Sequence, residues 1–161
     1  MLLALLLAAV LQGPGDVESL TAAADAVVHG QVVGRRSAWT RAGGQIFTTV
    51  TLRTLETWKG PASAEVTILV PGGEAGDLAQ TVAGAASFQD GEEVVVFLHR
   101  SASGVFGVER MALGKFGVES FSPGRVVRDR RGLSCLQCTA AERDELSLDE
   151  LRARVLGSAQ R

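Results

Sequence analysis

The sequence predicts a mainly β domain: one small, closed or nearly closed barrel with a short N-terminal helix and an amphipathic C-terminal helix. Three observations carry this reading. β-Branched and apolar runs recur between Ala26 and Glu119, turn signals rich in Gly and Pro separate them, and helical spacing is confined to the two ends.

The chain begins with an uninterrupted apolar run, Leu2 to Leu11, followed by Gln12, Gly13, Pro14, Gly15 and Asp16. About ten residues match the apolar region of a signal peptide and fall short of the roughly 20 that cross a bilayer. Residues 1–15 are therefore expected to be a signal peptide, although no Lys or Arg precedes the run. The mature protein is expected to be exported, periplasmic or extracellular, with no stable membrane span after cleavage.

Asp16 to Ala24 reads as a short helix, with Asp16 as its cap, Glu18 in the first turn and Val17, Leu20 and Ala24 on one side. From Ala26 to Trp39, valines flanking Gly30 predict a strand bent at that glycine. Ala42, Gly43 and Gly44 turn the chain into a second long strand, Ile46 to Trp58, rich in Thr, Val and Ile, so the pair predicts an antiparallel hairpin. Lys59, Gly60 and Pro61 break it. Glu65 to Val70 alternates as a third strand and stops at Pro71, Gly72 and Gly73.

Gly and Ala dominate from Gly72 to Gly91, with a short strand at Leu78 to Val82. Val94 to Leu98 is apolar on both faces, which predicts a central strand covered on each side. Short strands near Val105 to Arg110 and Gly114 to Glu119 follow, then a polar hairpin near Pro123 to Arg131. At the end, Ser147 and Glu150 form a capping box, and Leu148, Leu151, Val155 and Leu156 share one helical face. The expected organisation is a signal peptide over 1–15, a barrel over 16–134, and a C-x-x-C loop with the C-terminal helix over 135–161.

Composition narrows the function classes. The 161 residues carry a net charge of −2, which gives no electrostatic reason to expect nucleic acid. Tyrosine is absent and aromatics make up 5%, so a stacking surface for bases or sugars would be thin. Lysine occurs only at Lys59 and Lys115.

Cys135 and Cys138 are the sharpest chemical feature. An exported chain with this one pair favours a small disulfide loop, worth only about 2 kcal/mol by loop-closure entropy. Redox chemistry is the alternative, but the pair does not open a helix after a strand. Zinc would need two more ligands, and His29 and His99 have no matching spacing. No Ser lies in a nucleophile elbow, and no glycine cluster completes a phosphate loop. The reading is therefore of no catalytic residues, no metal and no cofactor. Trp39, Trp58 and the Pro71-Gly72-Gly73-Glu74 segment are the candidate binding residues, because irregular loops and isolated aromatics often recognise partners.

Ala24-Asp-Ala-Val-Val-His-Gly-Gln-Val32, Thr48-Thr-Val-Thr-Leu52, Trp58-Lys-Gly60, Val66 to Gly73 and Phe88 to Leu98 together resemble an uncharacterised group of exported bacterial proteins. The resemblance covers roughly Asp16 to Glu119. Its strand plan is in turn similar to the OB-like barrel of netrin and tissue-inhibitor-of-metalloproteinase modules. That implies a small OB-like antiparallel β-barrel and a protein-binding habit. Metalloproteinase inhibitors of that class use a cysteine at the mature N-terminus, and this chain has none before Cys135. The expected function is a non-catalytic binding module for an unknown protein or envelope component. A periplasmic thiol-disulfide protein and a structural envelope component are the alternatives.

Overall fold

The computed structural model describes residues 16–120, 124–128 and 145–160. The expected signal peptide, Cys135 and Cys138 lie outside the described residues.

Helix α1 spans Val17–Ala23, and the Asp16 carboxylate accepts the Ser19 N–H at 2.6 Å, so the predicted cap forms. Its far end is closed from outside: Lys59 Nζ donates to the Thr21 and Ala24 carbonyls at 2.6 Å each. A cation there satisfies open carbonyls and opposes the helix dipole.

Strands β1 (Ala26–Trp39) and β2 (Ile46–Lys59) form the long antiparallel hairpin, paired from Val27 opposite Lys59 to Trp39 opposite Ile46, with register shifts at Val27/Val28, His29/Gly30 and Val32/Gly34. The expected bend occurs, with a register irregularity between His29 and Gly30. A Cβ on Gly30 would lie 2.8 Å from the Arg53 carbonyl, so the approach of β2 requires glycine. Strand β3 (Glu65–Pro71) pairs with β2 and buries Val66, Ile68 and Val70 in strict alternation. Beyond it the Gly/Ala-rich stretch is more ordered than a loop: β4 (Gly73–Ala75) and β5 (Leu78–Gln80) make a two-stranded flap.

Strand β6 (Glu93–Arg100) is central, as its two apolar faces predict. One edge pairs with β1, from Ala26 opposite Leu98 to Gln31 opposite Glu93. The other edge is shared between β7 (Phe106–Val108), which meets Leu98 to Arg100, and β8 (Lys115–Val118), which meets Val94 to Val96. A 3-10 turn, Met111–Gly114, joins β7 to β8. The ring β1-β2-β3-β7-β6 closes back on β1 as a five-stranded OB-like barrel. Its one parallel seam joins Ile68 of β3 to Phe106 of β7. An odd ring cannot alternate strand direction all the way round, so one seam must be parallel.

The polar hairpin expected near Pro123 to Arg131 is corrected over its described part. Arg125–Arg128 is strand β9, held between β8 and β10 (Glu145–Ser147). Charge density suggested a turn, but alternation buries Val126 and turns Arg125 outward to Glu119 at 3.5 Å, while Arg128, on the same face as Val126, lies over the Phe116 ring at 4.8 Å. Helix α2 (Leu148–Ala159) then starts at Ser147, whose hydroxyl accepts the Glu150 N–H at 3.0 Å.

Two apolar cores result. Val28, Val32, Val50, Leu52, Ile68, Val94, Val96 and Leu98 fill the barrel. Val27, Val95, Phe97, Phe116 and Val126 face outward and are covered by Leu20 of α1 and by Leu151 and Val155 of α2. Arg154 grips the Glu18 carboxylate with two nitrogens, at 2.8 and 2.6 Å, and ties the helices together. No helix among the described residues is long and apolar enough to cross a membrane.

Candidate functional site

A cleft of about 320 Å³ opens at the barrel mouth beneath the flap. Val50 and Val70 line it from the barrel strands, Pro71, Gly72, Gly73 and Glu74 from one side, and Ala85, Ala86 and Phe88 from the other. The four loop residues singled out in the sequence therefore meet at one site.

The flap side is fastened to the β1–β2 hairpin. Gly72 N–H donates to the Ile46 carbonyl at 2.8 Å, the Thr48 hydroxyl donates to the Gly72 carbonyl at 2.7 Å, and the Gln80 side-chain oxygen accepts the Ile46 N–H at 2.6 Å. Gly73 has φ +135°, and a Cβ there would collide with Ser37 Oγ and Thr48 Oγ1. The Pro-Gly-Gly sequence is thus what lets the flap lie against the hairpin.

Three hydrogen bonds hold the opposite wall by its carbonyls. Ala112 N–H donates to Gly84 O at 2.9 Å, Lys115 Nζ to Ser87 O, and Arg35 Nη1 to Phe88 O at 2.6 Å. With these carbonyls engaged, the wall presents Ala85, Ala86 and Phe88 to the cleft. Ala112 is offered by a turn in which Arg110 and Met111 both take left-handed backbone, at φ 51° and 57°. Such residues are held only where surrounding contacts over-determine them.

Two charge pairs support this wall. Arg35 Nε reaches Asp90 Oδ1 at 3.0 Å; the hydrogen bond raises the Arg35 pKa and lowers that of Asp90. Lys115 is fully buried, with its ammonium 2.7 Å from Glu92 Oε1 and 4.8 Å above the Phe88 ring. Neither Lys115 nor Ala85 to Phe88 is apparent as a site residue in the sequence. The rarity of lysine was the one available signal, since an arginine-rich chain retains it at only two positions.

The two tryptophans separate. Trp39 is 45% exposed and sits opposite Ile46 on the arm that carries the flap, while Leu78 on the flap is 59% exposed. Trp58 is buried in the outer core, its ring 5.8 Å from His29 and its N–H donating to Glu56 at 2.9 Å. His29 Nε2 in turn lies 2.7 Å from Glu93. The chain matches no protein-family model and no curated protein.

Proposed function

We propose that this chain is an exported, non-catalytic binding module that engages a protein or envelope partner through the cleft beneath the flap. The observation that carries the reading is a preformed apolar cleft whose two walls are fastened by hydrogen bonds, with Trp39 and Leu78 standing exposed on the flanking elements. A wall already in place loses little conformational entropy on association, and exposed tryptophan is a frequent energetic anchor at interfaces. The cleft is of the size that takes one or two apolar side chains of a partner. The buried Lys115 serves as a strut, its ammonium held by Glu92. Export is supported by the apolar run Leu2 to Leu11.

A photo-crosslinking residue placed at Leu78, in cells that make the protein, tests the site against the same residue at Leu55, which is 48% exposed on β2. A discrete protein adduct is expected at position 78, absent at 55 and lost in Trp39→Ala. Equal adducts at both positions, or none at 78, would overturn the reading. For export, fractionation and N-terminal sequencing are expected to find a chain starting near Asp16 outside the cytoplasm; an intact chain retained inside would refute it.

A further inference from the structure

We infer that the opposite mouth of the barrel is a second binding site, selective for a carboxylate carried on a small aliphatic group, with Arg100 as its anion receptor. A cavity of about 360 Å³ opens there between the β2–β3 and β6–β7 connections. At roughly 30 Å³ per water-sized group, it has room for a ligand of about ten heavy atoms.

Its floor is apolar and built from the barrel interior, with Val28 and Val66 beneath and Phe106 as a wall. Arg100 is the one cation in the lining. Its guanidinium carbon lies 4.7 Å from the Phe106 ring centroid, so one face of the group is stacked. Stacking leaves the in-plane N–H edges available, and those edges match a carboxylate with two parallel hydrogen bonds. No carboxylate among the described residues pairs with this guanidinium. Asp25 accepts the Arg100 backbone N–H at 2.6 Å, which fixes the residue without using its charge.

The flap-side cleft differs on this point. Its arginine, Arg35, is already neutralised by Asp90 and bonded to the Phe88 carbonyl. Charge complementarity therefore directs an anion to the Arg100 mouth. Glu65 also lines that cavity and its carboxylate repels an anion, so the ligand's charge has to lie against the guanidinium edge, with its apolar body over Val28 and Val66. A ligand must offer one negative charge and an apolar body, a description met by a short branched fatty acid or by a peptide chain ending in an aliphatic residue.

NMR titration of the full chain with 4-methylpentanoate and with its carboxamide tests the inference. The acid is expected to shift the backbone amides of Thr67 and Val105 saturably, and the amide to bind about tenfold more weakly, the cost of one charge-assisted contact. Arg100→Gln is expected to weaken the acid by a similar factor while the amide spectrum of the barrel strands stays that of the folded chain, and Glu65→Gln to tighten it. Equal binding of acid and amide, no effect of Arg100→Gln, or no saturable shift at millimolar acid would overturn the inference. A peptide with a free C-terminal leucine, compared with its amidated form, separates the two sources. Tighter binding of the free peptide than of 4-methylpentanoate assigns a chain terminus, and the reverse assigns a free acid.

Discussion

Both lysines of this chain end on backbone carbonyls, Lys59 at the close of α1 and Lys115 beneath the 81–92 connection. Lys115 is the more consequential, because it is fully buried and its partner Glu92 is only 19% exposed at the side chain. Removing one member of a buried pair leaves the other charge uncompensated, at a cost of about 3 kcal/mol or more. Lys115→Met is therefore expected to lower the urea midpoint by a corresponding amount, and adding Glu92→Gln to recover part of it. A double variant no more stable than the single one would contradict the pairing. Glu56 makes a second residue-level case. The Trp58 N–H, then the Arg152 guanidinium, hold its carboxyl below the usual range. An acid held low in the folded chain stabilises it above the unfolded pKa of about 4.3 and ceases to do so as pH falls through the lower folded value. Stability is expected to decline on acidification below about pH 4.5. Glu56→Gln is expected to flatten part of that decline in urea melts across pH, while Asp90 retains its own share.

At the scale of elements, β6 explains why the molecule has two cores. Val94, Val96 and Leu98 enter the barrel while Val95 and Phe97 face the helices, as the two-residue period of a strand demands. Helix α2 is therefore part of the fold's stability. Leu151→Ala removes a fully buried side chain from the outer core and is expected to cost about 3 kcal/mol by denaturant titration. The flap is subject to a different constraint. Gly73→Ala forces a Cβ against Ser37 and Thr48, so faster hydrogen exchange is expected at β4 and β5 with the barrel amides unaffected. Uniformly faster exchange across all strands would show that the flap is not a separable unit.

For the whole molecule, β1 and β6 each contribute to both cores, Val28 and Val32 inward and Val27 outward in the first case. Neither core can be lost without disturbing strands of the other. Unfolding followed by Trp58 fluorescence, in a Trp39→Phe background, is expected to coincide with unfolding followed by far-UV circular dichroism. Separate midpoints would show that the helix-covered layer melts independently of the barrel.

What the sequence determined by itself was local. The caps at Asp16 and Ser147, the hairpin turning at Ala42 to Gly44, the bend at Gly30 and the two-faced strand at Val94 to Leu98 all follow from residues a few positions apart, where periodicity and turn chemistry act directly. Charge density was a poorer guide, and Arg125 to Arg128 became a strand because Val126 had a core to enter. Only the tertiary structure decided which strand edges met, and with them the parallel seam between β3 and β7. The Pro71 to Glu74 segment was legible as a candidate, but its wall of Ala85 to Phe88 and the lysine behind it were not. Those contacts join positions tens of residues apart, and only closure of the barrel brings them together.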